Sequence, residues 1–397
     1  MSGTTHDGPP LVGLYAQPDF VLTRGEGCRV WDETGRSYLD FTAGIAVTAL
    51  GHGSPVVADA LRRALDTGLV HTSNLFATRP AMELARLLVD RAFPSRVFFC
   101  NSGAEANEAA LKFSRRWAGA AGDGTRRDFI AFRGAFHGRL FGTLALTDRE
   151  AYQAPFRPLM PGARFADVGD VAAVRALLET KTVAAVFIEP LQGEGGIRPV
   201  DPAFLAALRS LCDEHGALLV FDEIQCGLGR TGKAFAHQHA GVTPDIMTLA
   251  KPLAGGLPMG AVLAVERVAE ALHPGDHGTT FGGGPLVASV ALDVVRTVTE
   301  AGFLARVTEA GDRLTRGLAA LAAEVEGVVE ARGMGLMLGL VLEGEAGPVV
   351  ARAREAGLLL VSAGPKVIRL VPPLTVTDAE IDEALAVLRG ALSPHQT

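Results

Sequence analysis

Apolar and polar positions fall into blocks along this chain. Short, nearly all-apolar runs at 97–100, 129–132, 183–188, 217–221 and 246–250 are of the kind buried in a parallel sheet. Between them lie stretches of helical composition, AEANEAALKFSRRW at 104–117 and another over 202–215, opened by the cap-like pair Asp201-Pro202. A strand, helix, strand rhythm with polar residues in the connections predicts an α/β domain whose site lies at the carboxyl ends of the strands. From Leu286 the pattern changes to one long helical stretch over 286–321 and a glycine-punctuated apolar segment over 328–342. Helices over 346–356 and 378–392 then surround a strand pair, 358–361 and 367–370. We read this as a smaller α+β domain, joined by N-terminal strands at 20–23 and 28–31 across a Gly25-Glu26-Gly27 turn.

Composition narrows the class. Of 397 residues 48% are hydrophobic and 20% charged, enough apolar surface for a large core and too much for wholesale disorder. The net charge of −7, with no Lys/Arg-rich block, argues against a nucleic-acid partner. The start, MSGTTHDGPP, lacks the basic and apolar regions of a secretory signal, and the most apolar stretches, such as 41–58, are broken by Gly, Pro, His and Thr, so no membrane partner is expected. Cys28, Cys100, Cys212 and Cys226 lie far apart with no CxxC pair, which favours reduced thiols in a cytoplasmic protein over disulfides or a metal site. Glycine, at 47 residues, is in excess, and 17 of these fall in six windows of ten to twelve residues, 101–110, 133–142, 189–198, 222–233, 251–260 and 277–286, that hold most of the candidate chemistry.

Asp222 ends the apolar run 217–221, where an acid is costly unless a cation or a hydrogen-bond donor meets it; an exposed strand-end carboxylate is the alternative. Lys251 stands 29 residues later, between an apolar run and the loop Pro252-Leu253-Ala254-Gly255-Gly256, poised for the desolvation that frees an amine to attack a carbonyl; a solvated surface lysine is the commoner outcome of such a feature alone. Asn101-Ser102-Gly103-Ala104 sits where a strand turns into a helix, and its N–H groups and hydroxyl could meet a phosphate or serve for capping alone. The remaining loops are Gly134-Ala135-Phe136-His137-Gly138-Arg139, with a ring beside a guanidinium, Glu189 to Gly196, with a carboxylate, and His277 to Pro285, with two hydroxyls beside three glycines.

Taken in order, the blocks GEGCRVWDETGRSYLDFTAGIAVTALGH, HTSNLF, FFCNSGAEANEAALK, AFHGR, EPLQGEGG, FDEIQCGLGRTGK, TLAKPLAGGLPMGA, HGTTFGG, RGMGLMLGL and VIRLVPPL resemble the class III (subgroup II) aminotransferases, pyridoxal-phosphate enzymes of fold type I. The resemblance implies an α/β large domain over 51–285 with a mainly parallel seven-stranded sheet, and a small α+β domain over 11–50 and 286–397. It implies that Lys251 joins the cofactor and shuttles the substrate proton, that Asp222 pairs with the ring nitrogen, and that Gln225 bonds the ring hydroxyl. By the same resemblance Ser102, Gly103 and Ala104 hold the phosphate, Phe136 stacks on the ring, and Thr280 reaches the phosphate of the neighbouring subunit, which implies a homodimer with shared sites. Arg139, assisted by Thr279, matches the arginine for the donor's α-carboxylate. Arg369 matches the one for the α-carboxylate of glutamate or 2-oxoglutarate, and Glu194 a carboxylate that pairs with Arg369 in one half-reaction only.

Within the family the AFHGR and HTSNLF blocks look most like the branch that moves the δ-amino group of N2-acetylornithine to 2-oxoglutarate in arginine biosynthesis. The rivals are a lysine-biosynthesis branch acting on N-succinyl-diaminopimelate or an acylated lysine, an ornithine or 4-aminobutyrate transaminase, and a non-catalytic cofactor-binding relative. Ile45, where ornithine-type enzymes carry a tyrosine, weighs against free ornithine. Pro252 after the lysine, Gly284 in place of asparagine and Cys226 in place of threonine depart from the usual pattern; Pro252 is expected to stiffen its loop and remove a donor.

Overall fold

The computed structural model describes residues 11–393 apart from 17, 121 and 123; the expectation about a leader in residues 1–10 lies outside them, as do the last four positions of the expected small domain. Seven strands form the central sheet, in the order Arg96–Cys100, Gly260–Ala264, Ile246–Leu249, Leu218–Asp222, Val183–Ile188, Asp128–Phe132 and Ala163–Ala166. Six run parallel, and Gly260–Ala264 is antiparallel to both of its neighbours. Every residue of Val183–Ile188, Leu218–Asp222 and Ile246–Leu249 is buried, as continuous apolar runs covered on both faces should be.

The two faces of Leu218–Asp222 divide cleanly. Leu218 and Val220 pack with Ala106, Ala109, Ala110 and Phe113 of the helix Gly103–Ala120, while Leu219 and Phe221 pack with Phe204, Leu208 and Leu211 of the helix Pro202–His215. By alternation Asp222 shares the face of Val220, and so meets the helix that starts at Gly103. Asp201 caps Pro202–His215 by accepting from Ala203 N at 2.8 Å, and Pro202 takes the first turn, where a missing N–H costs nothing.

Several boundaries differ from the sequence reading. The stretch 286–321 is two helices, Pro285–Val298 and Ala301–Glu324, because the chain turns out of the helix at Thr299 and is extended at Glu300. The N-terminal pair is Leu22–Glu26 with Arg29–Asp32, so Gly25 and Glu26 are ladder residues and the turn falls at Gly27 and Cys28. The segment 358–361 is not one strand: Leu358–Leu359 runs parallel to Ser37–Asp40 in the N-terminal sheet, whereas Val361–Ser362 pairs with Val367–Leu370 in another. That second sheet is antiparallel and includes the hairpin Val328–Met334 with Met337–Leu342. All four cysteines are free and buried. Among the described residues no helix is long and apolar enough to cross a membrane.

Candidate active site

A cavity of about 370 Å³ opens at the carboxyl ends of the parallel strands. Its lining includes Ser102, Gly103, Ala104, Phe136, Arg139, Glu194, Asp222, Gln225 and Lys251, nine of the twelve residues singled out from the sequence. Arg369 stands just behind, buried at 2% exposure, ion-paired with Glu194 and donating to Gln225 Oε1 at 3.1 Å. Thr279 lies outside the lining, its hydroxyl accepting from Asn101 Nδ2 at 3.1 Å, and Thr280 is exposed on the same loop. Ile45 also lies outside the lining, in a turn of positive φ from Ala43 to Ala46, whereas its near neighbour Val47 lines the cavity. Another cavity, of about 410 Å³ between Lys112, Arg115, Arg116 and Asp276, holds none of the expected residues.

Asp222 is buried, and two side chains fix its Oδ2: Asn107 Nδ2 donates at 2.7 Å and His137 Nδ1 lies at 2.8 Å. Asn107 sits one helical turn after Gly103 and Ala104, so the cradle and the donor to Asp222 share a face. Its amide is oriented in turn by Thr248 Oγ1, which donates to Asn107 Oδ1 at 2.8 Å. Burial works to lower the pKa of His137, but the hydrogen bond and charge of Asp222 outweigh it and leave the imidazole above its usual value. Neither Asn107 nor His137 was assigned a role from the sequence; the helical spacing from Gly103 is the signal that could have found Asn107.

Lys251 opens a short 3₁₀ turn, Lys251–Ala254, at the end of Ile246–Leu249. Pro252 falls in its first turn, so the expected loss of a donor is without consequence. Burial, with the nearby Arg369 charge, pulls the Lys251 amine down to about 8, against the pull of Glu194, Glu189 and Asp222. Glu189, also unassigned from the sequence, is pushed up to about 7, chiefly by burial; it accepts from Phe136 N and Gly193 N, each at 2.9 Å.

The donor set fits a flat phosphorylated cofactor. The N–H groups of Gly103 and Ala104 open a helix of 18 residues and have no acceptor among the described residues. Gly138 at φ 136° lets the Arg139 loop pass close to that helix, since a Cβ there would stand 2.9 Å from Ala104 Cβ. A buried carboxylate lies at one side of the cavity, a lysine of depressed pKa borders it, and the Phe136 ring forms part of the wall.

This is the fold of a pyridoxal-phosphate transferase of fold type I. The family model described as Aminotransferase class-III matches residues 14–392, and the chain belongs to that family. It is similar to the mitochondrial acetylornithine aminotransferase of Alnus glutinosa, 49% identical over 97% of this chain and 86% of that protein. Among solved structures it resembles the N-acetylornithine aminotransferase of Stenotrophomonas maltophilia K279a, with a TM-score of 0.84 and 43% identity over 95% of this chain and 96% of that one. It also resembles the ornithine aminotransferase of Toxoplasma gondii ME49, with a TM-score of 0.93 and 33% identity over 97% and 93%. The class and its fold depend on pyridoxal phosphate.

Proposed function

We propose that this protein transfers the δ-amino group of N2-acetylornithine to 2-oxoglutarate, giving N-acetylglutamate 5-semialdehyde and glutamate, as a cytoplasmic homodimer loaded with pyridoxal phosphate. The observation that carries the reading is a cavity lined by a lysine of depressed pKa, with one guanidinium at its wall and a second, ion-paired to a partly exposed carboxylate, just behind it. Two carboxylate receptors suit a pair of substrates that each carry a carboxylate.

When bound, pyridoxal phosphate supplies a carbonyl carbon that takes up the amino group and a ring that draws electrons from the carbon losing its proton. Lys251 would hold it, with Ser102, Gly103 and Ala104 at the phosphate, Phe136 on the ring, Gln225 at the ring hydroxyl and Asp222 at the ring nitrogen. The depressed pKa leaves part of the Lys251 amine neutral near pH 7, so Nζ can take up and give back the proton of the substrate carbon that bears the amino group. Asp222, pinned by Asn107 and His137, would keep the ring nitrogen protonated. Arg139 takes the donor's carboxylate while Glu194 neutralises Arg369; in the second half-reaction Glu194 gives way and Arg369 takes the α-carboxylate of 2-oxoglutarate.

Thr280 supports the dimer reading. It lies outside the cavity of its own chain, and its neighbour Phe281 is 66% exposed, as are Leu75 at 86% and Phe76 at 70%, an apolar surface suited to a second copy. We place the domain boundaries at 51–285 for the large domain and 11–50 with 286–397 for the small one.

Free ornithine is the second reading, favoured by the close superposition on the Toxoplasma gondii enzyme. The deciding experiment compares kcat/KM for N2-acetylornithine, N-succinyl-diaminopimelate, ornithine and 4-aminobutyrate; a best value with ornithine overturns the proposal. Lys251→Ala should lose both the visible absorbance of the lysine-bound cofactor and turnover.

A further inference from the structure

The two arginines of the site are held in different ways. Arg369 is buried, paired with Glu194 and bonded to Gln225. Arg139 is exposed and, among the described residues, makes no ion pair and no hydrogen bond. An aromatic ring holds it instead: its guanidinium carbon lies 3.4 Å from the centroid of Tyr152, with the Phe136 ring at 5.8 Å. The Tyr152 distance is shorter than any other cation–ring distance among the described residues, the next being 3.9 Å between Arg24 and Trp31.

Tyr152 is itself fixed. It belongs to the short helix Glu150–Gln153, and the adjacent Gln153 Nε2 donates to the carbonyls of Leu144 at 3.0 Å and Thr147 at 2.8 Å. On its other side Arg149 donates to the carbonyl of Glu194. The platform under Arg139 is therefore tied to the loop that carries the gating carboxylate of Arg369.

We propose that Tyr152 is a positioning residue for substrate recognition: its ring holds Arg139 as an open receptor for the carboxylate remote from the reacting nitrogen. The inference rests on the transaminase reading of the cavity given above. A carboxylate partner would hold Arg139 equally well but would occupy the fork that substrate must use. A ring attracts the cation through its face and leaves the five N–H groups in the guanidinium plane for bidentate binding. One receptor is thus gated by an acid and the other is left open on an aromatic support. The face of the ring does this, so the phenol hydroxyl is dispensable.

The test uses the holoenzyme and its Tyr152→Phe and Tyr152→Leu variants, with N2-acetylornithine and its decarboxylated analogue N-acetyl-1,4-diaminobutane as donors. Loss of a partly desolvated stack should raise the N2-acetylornithine KM of Tyr152→Leu by about 5- to 10-fold with little change in kcat. Tyr152→Phe should stay close to wild type, and kcat/KM for the decarboxylated analogue should be alike in all three proteins. An unchanged KM in Tyr152→Leu, an equal loss with the decarboxylated analogue, a Tyr152→Phe variant as impaired as Tyr152→Leu, or loss of cofactor absorbance in Tyr152→Leu would each overturn the inference. If wild type does not turn over N2-acetylornithine, the substrate reading fails, and the same pattern is then required with the accepted donor and its decarboxylated analogue.

Discussion

Replacing Glu194 with glutamine removes the charge that opposes Arg369 while keeping the shape of the side chain. Arg369 is 2% exposed and the Glu194 side chain 26%, so the pair lies between a dry ion pair and a surface one. Breaking a dry pair costs ~3–5 kcal/mol and an exposed pair ~0–1 kcal/mol, and this mixed case falls near 1–2 kcal/mol. In the proposed gating the pairing competes with an incoming α-carboxylate, so its removal should lower the KM for 2-oxoglutarate by about 5- to 30-fold. The donor half-reaction should gain nothing, because Arg369 then faces an uncharged chain without a counter-ion. A second readout has an independent sign. Arg369 lowers the Lys251 pKa and Glu194 raises it, so the substitution should move Lys251 below its value of about 8. Only the neutral amine attacks an aldehyde, and the pH at which cofactor-free enzyme captures pyridoxal phosphate at half its maximal rate should therefore fall. Stopped-flow measurement of each half-reaction, with a pH series of cofactor uptake, tests both. A 2-oxoglutarate KM that is unchanged or raised, together with a pH midpoint that stays put or rises, would refute the gating argument.

Asp222→Asn should fold and load cofactor but lose about 100- to 1000-fold in kcat, the equivalent of one buried charge pair at the ring nitrogen; a kcat near wild type, with cofactor content checked by absorbance, rules that role out. Gly260→Ala would set a Cβ 2.5 Å from the Ser102 carbonyl and 2.8 Å from Cys100 Sγ. Overpacking of this kind costs ~1–3 kcal/mol, and it should lower the thermal midpoint and weaken cofactor binding together, since Ser102 leads into the helix cradle. Glu189→Gln bears on pH dependence: burial raises the folded carboxyl from 4.5 toward about 7, so the native protein should lose stability as pH rises through that window. Urea midpoints from pH 5 to 8 should decline in wild type and flatten in the variant, and an equal slope in both would remove Glu189 as the cause.

How much of this could be read from the chain depended on whether the signal was periodic. Strands that are wholly buried announce themselves as unbroken apolar runs, and an acid or lysine at the end of one stands out; Asp222 and Lys251 were visible for that reason. Thr299 and Glu300 interrupt a helical pattern without glycine or proline, so two helices read as one. The change of sheet between Leu359 and Val361 was equally invisible, because apolar strand residues carry no mark of their partner. Asn107 was lost among the polar residues of an amphipathic helix, although its spacing from Gly103 aims it at Asp222. Tyr152 lies 13 residues from Arg139 in a different element, and no spacing rule connects a ring to a guanidinium across a loop.

The buried carboxyl of Glu189 shows why costly groups persist around this cavity. Its two oxygens accept from Phe136 N in one loop and Gly193 N in another, joining the segment that carries Arg139 to the segment that carries Glu194. Three further bonds tie the same loops to each other and to the rest of the fold: Gln192 Nε2 to the Arg133 carbonyl at 3.0 Å, Arg149 to the Glu194 carbonyl, and Arg332 Nε to the Gly196 carbonyl at 2.9 Å. With the backbone of both loops pinned in this way, the proposed release of Arg369 needs only rotation of the Glu194 side chain. A rotamer change takes place on the picosecond to nanosecond scale for an exposed group, whereas loop rearrangement is slower by orders of magnitude. In the proposed mechanism the desolvation cost at Glu189 thus confines the exchange of a neutral chain for a second carboxylate to one partly exposed side chain, and would leave the Arg139 receptor undisturbed through both half-reactions.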